Sequence, residues 1–222
     1  VKMRFSKSKL RHYKICPRFF YIRYFTIHGL QSGESDAVRF GSLLHKYFEA
    51  YNKNDEKDLE YYLRKDARAE RHIENFKKIL RLYGLDRAVY SELKEYDEEL
   101  DLVGVVDAIY EKDGEYWLID YKTGKFNKRR INDYLFELYL YVILIERKLG
   151  IKISRIGMFF TNHIYNSFVR PVREREKLQY FKEFIELKKE ILEGNFERRR
   201  SGFCNYCEFV AICDEYHDEV VG

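Results

Sequence analysis

Asp107, Asp120 and Lys122 are the residues from which chemistry can be argued first. They lie in Gly104–Lys125, which reads Gly-Val-Val-Asp-Ala-Ile-Tyr-Glu-Lys-Asp-Gly-Glu-Tyr-Trp-Leu-Ile-Asp-Tyr-Lys-Thr-Gly-Lys. Asp113-Gly114 between two strand-like runs signals a two-residue hairpin turn. With that turn, Asp107 stands opposite Asp120, their side chains about 5 Å apart on one face. Lys122, two residues further on, returns to the same face. Adjacent carboxylates repel unless a cation lies between them, and Mg²⁺ or Mn²⁺ prefers such oxygen ligands. A neighbouring ammonium can orient a water or neutralise charge developing on a phosphate. A charged hairpin carrying a surface ion pair is the plainer account of the same residues.

Cysteines form a second constellation. Cys204, Cys207 and Cys213 are spaced x2 then x5, and Cys16 completes the 4 in the chain. Closely spaced thiolates can surround a soft metal. Spacing alone leaves structural Zn²⁺ and an iron–sulfur cluster both open, and a single early cysteine is most simply a buried apolar residue.

These residues also resemble a family. Gly104-x-x-Asp107 followed by Asp120-Tyr-Lys-Thr-Gly124 is similar to the core of RecB-like nucleases, in the PD-(D/E)xK superfamily. The resemblance implies that Asp107 and Asp120 bind a divalent metal, Mg²⁺ or Mn²⁺, with the Tyr121 carbonyl as a further ligand. Lys122 would assist phosphodiester hydrolysis. Gly41 and His45 match the family's Gly-x-x-x-His, which implies an imidazole ligand; without the family, His45 and Glu49 read as a pair one helical turn apart. Glu92 stands where related nucleases often carry an acidic residue at the start of the sheet, which would bring it near the metal. An exposed edge or a salt bridge accounts for it equally well.

Glu137-Leu-Tyr-Leu-Tyr141 resembles the family's Gln-x-x-x-Tyr, with glutamate in place of glutamine. A carboxylate cannot donate the amide hydrogen bond, and it would repel phosphate unless paired or protonated. Tyr141 keeps the match, although a core tyrosine would look the same. Lys125, Lys128, Arg129 and Arg130 could hold a nucleic-acid backbone or form a solvated loop.

Cys16-Pro-Arg and the terminal C-x2-C-x5-C resemble the [4Fe–4S] lock of iron–sulfur RecB-like exonucleases. This implies one nuclease domain over residues 1–222, with 1–30 and 195–222 jointly forming the iron–sulfur region. Compact size, and the lack of a helicase P-loop, narrow the resemblance to the CRISPR-associated group. The resemblance implies metal-dependent cleavage of single-stranded DNA, often from a 5′ end, and the CRISPR-associated group further implies trimming of DNA for new spacers beside an integrase partner. The alternatives are a stand-alone DNA-repair nuclease, a non-catalytic DNA-binding scaffold, or one nuclease component of a larger complex.

The elements that must position these residues follow from periodicity. The fold class expected is α/β, a restriction-endonuclease-like mixed sheet flanked by helices, its chain ends joined at the cluster. Strands are expected over 88–96, on both sides of the Asp113-Gly114 turn, and over 151–160 and 167–172. Helices are expected from Ser6 or Ser8 to Pro17, over 41–51 with Ser42 as a possible cap, over 68–83, over 133–149, and before Gly194. Residues 52–66 read as a charged helical excursion or a mobile crossing, and Gln31 to Asp36 as a polar connection.

The 222 residues suit one compact domain; 45% are apolar and 35% charged. The formal charge of +4 is weak support for a polyanionic partner. Its distribution says more, with a basic stretch before Glu34 and an acidic tail after Phe203. Arg18 and Arg23 read most simply as solvated charges. No apolar run approaches the roughly 20 residues that span a bilayer, and the start lacks a signal-peptide core. A cytoplasmic protein is expected.

Overall fold

A computed structural model describes residues 3–27 and 35–214. Most of the polar connection expected from Gln31 to Asp36, and the last part of the acidic tail, lie outside these residues. The chain divides into two compact units, Glu34–Leu178 and Val1–Gly33 with Gln179–Gly222.

The larger unit is built on a five-stranded mixed sheet in the order β1-β2-β3-β4-β5. β1 (Tyr90–Asp97), β2 (Leu102–Lys112) and β3 (Glu115–Lys122) form an antiparallel meander. Asp113 and Gly114 both have positive φ, 53° and 77°, the backbone that a two-residue turn between right-twisted strands needs. The chain then crosses through α6 (Ile131–Leu149) to β4 (Ile153–Phe160), which pairs parallel with β3; β5 (Phe168–Pro171) closes the edge antiparallel.

Helices flank this sheet as the hydrophobic patterning requires. α3 (Asp36–Lys53) and α5 (Ala69–Tyr83) pack into a core that includes Phe48, Phe76, Tyr121 and Phe159. Phe48 and Phe76 stack with centroids 4.4 Å apart, and both meet Tyr121 edge-on. Each such ring contributes on the order of 2–3 kcal/mol by leaving water. α6 is buried without interruption from Tyr134 to Ile145 and packs against β1 through β4. Gly104 allows that approach: a Cβ there would lie 2.7 Å from the Tyr141 ring.

Two local expectations change. The N-cap of α3 is Ser35, whose side chain accepts from the Val38 N–H, so Ser42 lies inside the helix. The charged 52–66 stretch contains a helix, α4 (Glu56–Lys65), with no buried residue.

The smaller unit carries α1 (Lys7–Ile15) and α2 (Pro17–Phe25). Ser6 caps α1 as expected, and Pro17 stops it and opens α2 at the first helical position. Arg18 is not solvated: it is 2% exposed and donates to the Phe196 carbonyl at 2.9 Å. The boundary between the units falls within α7 (Glu174–Leu192).

The expectation of chain ends joined at an iron–sulfur cluster is corrected here. Cys16, Cys204, Cys207 and Cys213 are free thiols that line one small pocket with Phe19, Phe203 and Phe209. Among the described residues, the group whose ligand atoms all lie within 4.8 Å of one another is His45, Glu92 and Asp107. Burial, first, and the neighbouring sulfurs push the Cys207 thiol up, and burial does the same for Cys213. Cysteines packed among aromatic rings behave as small apolar side chains.

Candidate metal centre

Three elements bring the ligand group together. α3 presents His45 two turns before Asn52, on the same side of the helix. Its approach to the end of β3 is close, since a Cβ on Gly41 would lie 3.3 Å from Thr123 Oγ1. β1 presents Glu92 from a left-handed backbone, φ 48°. That conformation costs a non-glycine residue on the order of 1 kcal/mol and persists only where the surroundings enforce it. The ladder pairs Ser91 with Ala108 and Leu93 with Val106, which sets Glu92 opposite Asp107 on β2.

His45 Nδ1 lies 3.4 Å from Glu92 Oε1 and 3.6 Å from Asp107 Oδ1. The other Asp107 oxygen accepts the Tyr121 N–H at 2.6 Å. The expected hairpin register holds from Lys112↔Glu115 to Ala108↔Ile119. One step beyond, the Asp107 carboxylate itself reaches across to β3. Burial works against a charged His45, but the Asp107 and Glu92 carboxylates outweigh it and hold its pKa above the ordinary histidine value. Two carboxylates and an imidazole around one point thus favour positive charge there. One nitrogen and two oxygen donors suit Mn²⁺ and, with more oxygen, Mg²⁺.

Asp120 stands beside this group rather than in it. Its Oδ2 lies 2.8 Å from Lys122 Nζ, and the same ammonium donates to Glu137 Oε2 at 3.0 Å. The pairing answers the problem posed by a carboxylate at 137. Tyr121 is held from below through its side chain: its hydroxyl is 2.6 Å from that of Tyr110 and accepts from Asn52 Nδ2 at 3.3 Å. Asn52 Nδ2 also donates to Ser91 Oγ, next to Glu92. Thus one asparagine ties α3 to both strands beneath the ligand group.

An open groove of about 600 Å³ runs over the site, lined by His45, Glu92, Gly41, Ser42, Lys46 and Thr123 among others. Just past Thr123, Lys125, Lys128 and Arg129 are exposed, and Arg130 pairs with Asp133. Tyr141 is 4% exposed, with its ring over Gly104. Sequence reasoning missed the Lys122–Glu137 pair and the Asn52 network. The signal for the first was the one charged residue, Glu137, inside the buried run of α6.

The comparisons with known proteins agree with this geometry. The profile of the PD-(D/E)XK nuclease superfamily matches residues 4–214. An ATP-dependent helicase/nuclease protein of Staphylococcus haemolyticus is 43% identical over 47 residues, 21% of this chain and 4% of that protein. Its counterpart in Staphylococcus aureus is 38% identical over 47 residues, again 4% of its length. The match therefore spans a small part of these much longer relatives. A candidate exonuclease from Eubacterium rectale shares the fold, with a TM-score of 0.61 over 92% of this chain and 86% of its own, at 16% identity.

The superfamily, and not the narrower CRISPR-associated iron–sulfur group, is what matches. The curated relatives are helicase/nuclease proteins, and the convergent ligands are histidine and carboxylates. The [4Fe–4S] assignment is corrected accordingly, and these matches add no support for a spacer-acquisition role or an integrase partner. Among the described residues no helix is long and apolar enough to cross a membrane. With a profile match over nearly its whole length and a divalent-metal triad of His45, Glu92 and Asp107, this chain belongs to the PD-(D/E)XK nuclease superfamily.

Proposed function

We propose that the protein hydrolyses phosphodiester bonds of DNA with Mg²⁺ or Mn²⁺, as an end-trimming nuclease of DNA repair. The observation that carries this reading is the convergence of His45, Glu92 and Asp107 beside the Lys122 ammonium. A bound divalent ion supplies Lewis acidity at a phosphate oxygen and acidifies water. His45, Glu92 and Asp107 would hold it, with Asp120 and the Tyr121 carbonyl as further ligands. The Tyr121 N–H fixes the orientation of Asp107. Lys122 stabilises negative charge as it develops on the phosphate. Lys125, Lys128 and Arg129 hold the strand by its backbone. Helicase/nuclease proteins among the relatives support nuclease chemistry, and the repair role is part of the proposal. Single-stranded DNA with a 5′ end is the favoured substrate.

The test compares wild type with Asp120→Ala and Lys122→Ala on end-labelled single- and double-stranded DNA in Mg²⁺, Mn²⁺ and chelator. Metal-dependent shortening by wild type, lost in both folded variants, is the expected result. Cleavage that persists in chelator, or undiminished in both variants, would refute the reading. Matched 5′ and 3′ labels give the polarity.

A further inference from the structure

Glu137 is the one charged side chain in the buried stretch of α6 from Tyr134 to Ile145. It is 4% exposed, and a carboxylate in such surroundings stays ionised only when paired. Its partner is Lys122, at 3.0 Å. Lys122 in turn lies 2.8 Å from Asp120, on its own strand. The ammonium is therefore gripped from two elements, β3 below and α6 across.

Stability gives no sufficient reason for this arrangement. Buried ion pairs rarely outweigh the desolvation of both partners, and apolar residues of equal volume serve as well. An apolar residue at 137 would continue the surface of α6 without interruption. What the second carboxylate provides is position. A lysine side chain carries about 2 kcal/mol of rotamer entropy and swings freely on a single anchor; two anchors from different elements fix its Nζ. An ammonium that must meet developing charge within a few tenths of an ångström needs such fixing.

We propose that Glu137 is the positioning residue of Lys122, holding its ammonium at the site from α6; this rests on the nuclease reading above. Glu137 acts through Lys122 and makes no contact with the substrate.

Glu137→Ala, Glu137→Gln, Lys122→Ala and the Lys122→Ala/Glu137→Ala double variant are compared in three measurements. In cleavage of single-stranded DNA, Glu137→Ala lowers kcat roughly 10- to 100-fold, with KM within about threefold. Glu137→Gln, which keeps an acceptor oxygen of the same reach, recovers part of the rate. Added to Lys122→Ala, Glu137→Ala costs nothing further, because its only route of action is already gone. Mn²⁺ binding by calorimetry without DNA stays within about threefold of wild type in Glu137→Ala, since Glu137 is outside the ligand group.

The third measurement does not need activity. Acylation of Lys122 by a small amine-reactive ester, followed by mass spectrometry, is faster in Glu137→Ala than in wild type, with Glu137→Gln between them. Equal Lys122 labelling in all three proteins overturns the proposal. So does a Glu137→Ala effect confined to KM, which would make Glu137 a substrate contact, or an undiminished further loss on top of Lys122→Ala. If wild type proves inactive on DNA, the nuclease reading fails while the labelling ratio still decides whether Glu137 holds Lys122.

Discussion

Two regions of this molecule present metal-ligand residues, and they solve opposite problems. Around His45, Glu92 and Asp107 the ligand atoms come from a helix and two strands and close to within 4.8 Å. Around Cys16, Cys204, Cys207 and Cys213 the residues share a pocket with Phe19, Phe203 and Phe209, and the thiols stay free. In the first, the Tyr121 N–H fixes Asp107, and the β1–β2 register sets Glu92 opposite it. In the second, the aromatic rings make the surroundings apolar, and burial pushes the Cys207 and Cys213 thiols up. Both regions gather residue types that can ligate metal; ligand atoms within 4.8 Å of one another and a polar layer behind them belong to the first.

The largest effect expected from that contrast is on cleavage. Asp107→Asn keeps the shape of the side chain and can still accept from the Tyr121 N–H, but it removes the charge between His45 and Glu92. Its rate should fall roughly a thousandfold or more, read as initial rates on end-labelled DNA at saturating Mn²⁺. A loss below about tenfold would mean that Asp107 is not at the centre of the site.

Glu92 sharpens the comparison from the backbone side. Its φ of 48° is strain that the larger unit tolerates for the sake of a carboxylate opposite Asp107. Glu92→Gly relieves the strain and deletes the ligand together. Mn²⁺ affinity should drop about 10- to 100-fold, while stability without metal changes by no more than about 1 kcal/mol in either direction, since glycine's freedom in the unfolded chain offsets the relief. Calorimetric titration and denaturant unfolding in chelator measure the two quantities. A large loss of stability with Mn²⁺ binding intact would reassign Glu92 to the scaffold.

The sheet and helices were legible because their periodicity is strong and local. The turn at Asp113-Gly114 carried the β2–β3 register to Ala108↔Ile119, and α5 ends at Gly84, in a left-handed conformation, just past the expected 68–83. Asp107 and Lys122 were legible as candidates because the hairpin register puts them on the face of Asp120, and His45 because Gly41-x-x-x-His45 resembles a family motif. Glu92 was harder: a salt bridge explained it equally well, and only the β1–β2 register sets it opposite Asp107. The Lys122–Glu137 pair joins residues 15 apart on a strand and a helix, a distance over which no periodicity speaks. Asn52 was invisible for the same reason, since its value lies in reaching Ser91 and Tyr121 at once. The cysteines show the converse error: their spacing left the metal open, and a resemblance to an iron–sulfur group was carried over as ligation.

The cysteine region offers its own test. Freshly purified protein, kept anaerobic and unfolded in denaturant, should titrate with 4 free thiols per chain. Stoichiometric iron and sulfide in the same preparation would overturn the free-thiol description, and fewer thiols without metal would point to oxidation. Activity of the His45–Glu92–Asp107 group is not at stake in this measurement, which makes it a clean separation of the two regions.

The smallest effect concerns two histidines. His45 is pushed up by carboxylates, whereas His12, in the smaller unit, is pushed down to about 4 by burial and then by Arg11 and Arg23. His12 Nδ1 lies 2.8 Å from the Tyr24 hydroxyl, and its ring meets Phe19 edge-on. Phe19 also lines the cysteine pocket. The folded chain therefore holds His12 neutral where the unfolded chain, with an ordinary histidine pKa near 6.5, takes up a proton. Between those two values the unfolded state binds more protons, so stability rises with pH there. The contribution is fully present above about pH 6.5 and is lost as the pH falls toward about 4. His12 is only partly buried, so solvent screening reduces the effect to roughly 1 kcal/mol between pH 7 and pH 5. In denaturant unfolding, His12→Gln should flatten the pH dependence by about that amount while leaving Mn²⁺ affinity unchanged. An equal slope in wild type and variant would show that His12 titrates normally in the folded chain, and the contrast between the two histidines would then rest on His45 alone.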